Sequence, residues 1–213
     1  PDAPNVYELT AGAHRTTFGF RDFRLEKGWF TLNGRRIFLK STHTGGHVPG
    51  GVVVPHPATP ELEFRDFQLL KAMGFNCVRF IAGQAAPRQL DFCDRLGLMV
   101  YQETMASWDL KDGPKTRRRY LESIRAEIRR DRNHPCLTVF GALNETRPND
   151  AFAAARGMLG EIRKLDPDRL WILDSGRWDL LDDPKRYPKI DWSVGSASNP
   201  GSTVWECVWG NDG

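Results

Sequence analysis

The sequence predicts an α/β fold organised around a parallel sheet, and three observations carry that prediction. From Ile37 onward, short apolar runs alternate with stretches whose apolar residues recur every three or four positions. The apolar runs are continuous rather than alternating, as strands covered on both faces require. Prolines and capping residues open the helical stretches, and glycines close them. Strands of this kind, separated by helices, pair in parallel as βα units.

The elements follow in order. Residues 6–9 and 17–21 read as strands. Residues 29–32 followed by Asn33-Gly34 read as a hairpin, because an Asn-Gly pair supplies the positive φ values of a type I′ turn. Residues 1–36 are therefore expected to be the end of a preceding β-sandwich domain with a hairpin leading into a second domain, residues 37–213. The first strand of that domain is expected at 37–41. Thr59-Pro60 then opens a helix with Phe64, Phe67, Leu70 and Met73 on one face, and Gly74 ends it. A strand at 76–80, a helix at 88–96 closed by Gly97, and a strand at 98–102 come next. A third helix spans 115–130 with Leu121, Ile124 and Ile128 inward, ahead of a strand at 137–143. The fourth helix follows Asp150, with Phe152, Ala155, Leu159, Ile162 and Leu165 spaced at three or four, and a fifth strand lies at 170–173.

After Gly176 the pattern gives way to Gly, Pro, Ser, Asp and Trp, which reads as one long loop with no further strand. Five βα units are visible, whereas a closed eight-stranded barrel takes about 250 residues. The alternative is an open, doubly wound sheet, although no glycine-rich phosphate loop follows the first strand.

Composition narrows the function. The formal charge, 30 − 27 = +3, is too small to point to nucleic acid or to an anionic membrane surface. The arginines at 117–119, 125, 129 and 130 fall on the third helix and read as a solvated face. The cysteines, Cys77, Cys93, Cys136 and Cys207, form no CxxC pair, so zinc-ribbon and redox motifs are unsupported, and Cys77 and Cys93 read as buried thiols. No stretch approaches 18 apolar residues and no targeting signal opens the chain, so a soluble protein is expected and its compartment is left open.

In a parallel βα array the ligand face lies at the C-terminal ends of the strands. Those ends present Thr42-His43, Arg79, Glu103, Asn144-Glu145 and Asp174-Ser175, with Trp108 and Trp178 close behind two of them. An apolar strand that runs straight into Asn-Glu suits acid/base chemistry, since a carboxyl partly buried among aromatics is held protonated and can donate. The neighbouring amide suits a sugar hydroxyl, and tryptophans suit the apolar face of a sugar ring.

Here the residues resemble a family. Asp131-Arg132-Asn133-His134-Pro135 ahead of the fourth strand, with Asn144-Glu145 at its end, is similar to glycoside hydrolase family 2, which includes β-galactosidases, β-glucuronidases and β-mannosidases. Further matches are Phe18-Gly19-Phe20-Arg21 leading into Leu32-Asn33-Gly34, the stretch 71–79, and the stretch 92–98. The resemblance runs from Thr17 to Trp178 and implies a (β/α)8 TIM barrel of which the first five units are present. It implies a retaining hydrolase of terminal β-linked sugars that needs no cofactor and no metal. Glu145 matches the general acid/base and Asn144 the residue that holds the sugar 2-hydroxyl. Arg79 matches an arginine beneath the site, and His43 a substrate-contacting histidine. Glu103 is a candidate for sugar hydroxyls, with an ion pair to a neighbouring arginine as the equal alternative, and Trp178 is a stacking candidate.

Two departures stand out. The family's His-Tyr-Pro segment after the strand-two arginine is replaced by residues 80–87, which affects sugar preference. The family's nucleophile, a glutamate at the end of strand seven, has no counterpart, and Glu206 reads as an inert loop carboxylate. A non-catalytic carbohydrate-binding remnant of the barrel is the alternative. A metal-dependent hydrolase using His43, His47 and His56 is the third reading, weakened by a loop that fixes none of them. An open barrel also calls for the remaining units or for self-association to cover its edges.

Overall fold

The computed structural model describes residues 2–27, 29–44, 60–104, 113–146, 150–175 and 204–205. The chain begins with two small antiparallel sheets. One is the hairpin β1 (Tyr7–Ala11) and β2 (His14–Phe18); the other comprises β3 (Phe23–Glu26), β4 (Trp29–Leu32) and β5 (Arg35–Arg36). Asn33 and Gly34 both adopt positive φ, 52° and 74°, as the turn between β4 and β5 requires. The strand expected at 17–21 stops earlier, at Phe18. Phe20 is 81% exposed, while Arg21 turns inward and donates to the carbonyls of Pro135 and Leu137.

The larger sheet contains β6 (Ser41–Thr44), β7 (Cys77–Phe80), β8 (Met99–Glu103), β9 (Leu137–Asn144) and β10 (Leu170–Ser175), every neighbour parallel and in sequence order. Four helices connect them: α1 (Pro60–Ala72), α2 (Pro87–Leu96), α3 (Pro114–Asp131) and α4 (Asp150–Leu165). This is a partial (β/α) barrel. A two-residue strand, β11 (Val204–Trp205), pairs in parallel with Trp171 and Ile172 and adds a sixth strand that the sequence reading did not place.

The first barrel strand lies beyond the expected 37–41, and Asn76 explains the shift. Its side chain donates to Phe38 O at 2.9 Å and accepts from Lys40 N at 2.8 Å, so an amide side chain holds residues 38–40 and backbone pairing begins only at Lys40 O. Ile37 and Leu39 pack beneath the sheet instead. Met73 also departs from expectation, being 72% exposed one residue past the end of α1.

Side chains alternate across the sheet and build two cores. Outward residues such as Val78, Phe80, Phe140, Trp171 and Leu173 meet Phe67, Leu90, Ile124, Phe152 and Ile162 of the helices. Inward residues Cys77, Met99, Val139, Leu170 and Ile172 form a second cluster with Phe23, and Leu25, Phe30 and Leu32 pack against it. The three-stranded sheet thereby closes the barrel interior near the N-terminal strand ends. Cys77, Cys93 and Cys136 are all buried free thiols. No helix among the described residues is long and apolar enough to cross a membrane.

Gly141 of β9 makes room for this interior. A Cβ there would come within 2.8 Å of Glu103 Cγ and 2.9 Å of the Tyr101 ring and hydroxyl. Gly157 in α4 is exposed, and a Cβ there meets nothing within 4 Å. Gly141→Ala is therefore expected to lower stability in urea unfolding by about 1–3 kcal/mol. Gly157→Ala should raise it by roughly 0.5–1 kcal/mol. Similar effects at both positions would contradict this packing.

Candidate active site

Arg79 is the third residue of β7 and faces inward, because Val78 and Phe80 face the helices. Its guanidinium gathers the ends of three further strands. It donates to Glu103 Oε1 through Nε at 2.9 Å and Nη2 at 2.5 Å, to Asn144 Oδ1 at 2.9 Å and to Ser175 Oγ at 2.6 Å. Ser175 Oγ in turn lies 2.8 Å from Glu103 Oε1 and 3.0 Å from Asn144 Oδ1. The Tyr101 ring lies beneath, 5.0 Å from the Arg79 Cζ. Burial, and then the charge of Glu103, push the Tyr101 phenol well above its usual range, so it stays neutral.

Glu145 follows directly on β9. Its φ of 49° lies in the left-handed region, a conformation that costs a non-glycine residue of order 1 kcal/mol or more. Its N–H donates to Ser175 O at 2.7 Å, and Thr146 N donates to Asp174 Oδ1 at 3.3 Å, so the end of β10 holds the turn. The outcome is a half-buried carboxylate at the C-terminal rim of the sheet, while Asn144 beside it is fully buried. Backbone strain held in place by neighbours is a feature of functional positions.

The other candidates divide. His43 stands in register with Arg79 on β6, at one edge of the sheet, and is exposed. Glu103 is engaged by the protein itself. It is 0% exposed, Arg79 and Ser175 occupy Oε1, and Ala82 N donates to Oε2 at 2.6 Å. It is the ion-pair partner of Arg79, the equal alternative that its sequence position left open. Trp178 lies outside the described residues, as do Trp108, His47, His56 and Glu206.

Ser175 and Tyr101 were not among the predicted site residues. Both carried a signal: Ser175 ends the fifth strand, and Tyr101 stands two residues before Glu103, hence on the same inward face.

The family-like motifs mostly serve the opposite end of the sheet. Arg21 and Arg169 both donate to Leu137 O, at 2.6 Å and 2.9 Å, fixing the start of β9. Burial, then repulsion from Arg169, lowers Arg21 to about 10. His134 Nδ1 lies 2.6 Å from Asp94 Oδ2, and Asp94 Oδ1 accepts from Cys136 N at 2.8 Å. Burial alone would lower the His134 value, but the hydrogen bond and charge of Asp94 raise it above the ordinary range. Asp91 brings a third donor atom into this group, all within 4.8 Å. Both Asp94 oxygens are already engaged, so the trio reads as a structural His–Asp pair rather than a cation site.

Comparison with known proteins agrees with this fold. Residues 23–186 match the family described as "Glycosyl hydrolases family 2, TIM barrel domain". A Formosa agariphila protein provisionally named a β-glucuronidase is 31% identical over 198 residues, covering 85% of this chain and 18% of that protein. A β-galactosidase of Thermoanaerobacterium thermosulfurigenes is 28% identical over 178 residues, 79% of this chain and 24% of that one. The apo structure of Bacteroides uniformis β-glucuronidase 3 superposes with a TM-score of 0.66 at 31% identity, covering 80% of this chain and 23% of that chain. The chain thus spans 18% to 24% of the length of these relatives.

Glu103 and Arg79 form a pair with side-chain exposures of 0% and 17%. Removing one charge leaves the other desolvated, so Glu103→Ala is expected to cost about 3–5 kcal/mol in urea unfolding. Combining Glu103→Leu with Arg79→Met should recover at least half of that loss. A double variant as unstable as the sum of the singles would refute the pairing.

Proposed function

Because the chain belongs to family 2 of the glycosyl hydrolases, as part of its TIM barrel domain, we propose that it carries the acid/base half of a retaining glycosidase site. The reaction is hydrolysis of a terminal β-linked sugar, of the kind named for its β-galactosidase and β-glucuronidase relatives. The observation that carries this reading is the placement of Glu145. It is half-buried at the C-terminal rim, held in a strained turn by β10, beside the side chains gathered on Arg79.

The chemistry assigns each group a task. Glu145 donates its proton to the glycosidic oxygen as the bond to the leaving group breaks. A second carboxylate attacks the anomeric carbon and forms a covalent glycosyl–enzyme. Glu145, now ionised, then takes a proton from the water that releases the sugar. No residue of this chain is assigned as that second carboxylate, and catalysis requires both members of the pair. Asn144, fixed through its Oδ1 by Arg79, supports the 2-hydroxyl of the sugar, and His43 on β6 is assigned a sugar contact.

Glu145→Gln tests the reading in the gene product that carries these residues, assayed on a panel of nitrophenyl β-glycosides. The expected outcome is cleavage of one of them by the natural protein and a loss of about 10²–10⁴ in kcat/KM for the variant. The loss should be smallest for the best leaving groups, which need the least protonation. Full activity in Glu145→Gln would overturn the assignment.

A further inference from the structure

Arg79 is held by its edges. Its bonds to Glu103, Asn144 and Ser175 leave from Nε and Nη2, and the hydrogen bonds of a guanidinium run in the plane of the group. They fix its orientation within that plane and resist tilting out of it poorly. One face of the plane is covered by the ring of Tyr101, whose centroid lies 5.0 Å from Arg79 Cζ. Tyr101 packs in turn against the apolar interior of Cys77, Met99, Val139, Leu170 and Ile172. The ring thus stands between a charge and an interior that cannot solvate it, and its negatively polarised face attracts that charge.

Three local features place the ring. Tyr101 stands in register with Arg79 across the parallel pair β7–β8, so the two inward side chains start side by side. Between β8 and β9 the register slips: Val100 faces Leu137, but Tyr101 faces Val139 and Glu103 faces Gly141. A slip of this kind re-aims the side chains that follow it. Here it sets a glycine against the phenol, where a Cβ would lie 2.9 Å from both Tyr101 Cε2 and the hydroxyl oxygen. The phenol stays neutral, so no phenolate competes with Glu103 for the guanidinium.

We propose that Tyr101 is a positioning residue: its ring is the floor on which the Arg79 guanidinium rests, and through Arg79 it aims the Asn144 amide at the sugar. The consequence for catalysis rests on the glycosidase reading above; the support of Arg79 does not. Tyrosine and phenylalanine supply such a floor alike, whereas an aliphatic side chain fills space without the polarised face. The effect therefore follows the ring and not the hydroxyl. It is also selective for substrates that carry a 2-hydroxyl, since the path from Arg79 to the sugar runs through Asn144 Oδ1.

Nitrogen NMR of the arginine side chains in the gene product tests the support without any sugar being cleaved. Arg79 and Arg169 each donate an Nε–H at 2.9 Å, to Glu103 Oε1 and to Leu137 O, at opposite ends of the sheet. In Tyr101→Leu, solvent exchange of the Arg79 Nε–H is expected to rise about 5- to 30-fold, the worth of a cation–π contact from partial to full desolvation. Arg169 should hold its rate, and Tyr101→Phe should restore that of Arg79. On a cleavable nitrophenyl β-glycoside, Tyr101→Leu should lower kcat/KM by a comparable factor, Tyr101→Phe should recover it, and the loss should largely vanish on the 2-deoxy analogue. The proposal is overturned if Arg79 is indifferent to Tyr101→Leu, if Arg169 loosens in step with it, or if Tyr101→Phe loosens Arg79 as Tyr101→Leu does. An equal loss on the glycoside and its 2-deoxy analogue overturns the step through Asn144. Should Tyr101→Leu fail to fold, Tyr101→Phe still decides, because an Arg79 loosened by loss of the hydroxyl alone contradicts support by the ring. A natural protein that cleaves no glycoside overturns the glycosidase reading instead, and the exchange rates still judge the support.

Discussion

A partly buried arginine must satisfy its donors, and at the C-terminal rim of this sheet that requirement draws four strands together. Arg79 leaves β7 and finds oxygens on β8, β9 and β10: Glu103, Asn144 and Ser175. A guanidinium presents a rigid planar fork and cannot shed its charge, so the strand ends must come to it. Gly141 gives way to let Tyr101 and Glu103 fit beneath. Glu145 then stands directly after β9 beside this network, tied by its own N–H to Ser175 O.

The two ends of the sheet do different work. At the N-terminal end, Arg21, Arg169 and the His134–Asp94 pair hold backbone carbonyls and a backbone N–H around the start of β9. β9 is buried along its whole length, so fixing its start also fixes the height at which Asn144 and Glu145 emerge. The resemblance motif at 131–135 is thus a structural foot for a strand whose other end bears Asn144 and leads into Glu145.

Much of the architecture was legible because periodicity and capping both marked it. α2 ends at Gly97 with a φ of 68°, and β7 to β10 fall within a residue or two of their expected places. The failures have physical causes. The first barrel strand was misplaced because Asn76 pins residues 38–40 from another element, a contact no local pattern reveals. β11 is two residues long, too short for any period to register. At the site, Glu145, Asn144 and Arg79 could be read from strand ends. The role of Glu103 could not, since an inward carboxylate faces a sugar or an arginine depending on what the neighbouring strand offers. Ser175 was visible at a strand end but drew no role, because it closes a network rather than bringing chemistry of its own.

We propose that this rim performs a double displacement with Glu145 as acid and then base. The most direct measurement is the anomeric configuration of the first sugar released by the gene product, followed by proton NMR on a β-glycoside. The account predicts a β-configured product first, with the α form appearing only as fast as mutarotation allows. An α-configured product released first would mean single displacement by water and would contradict it.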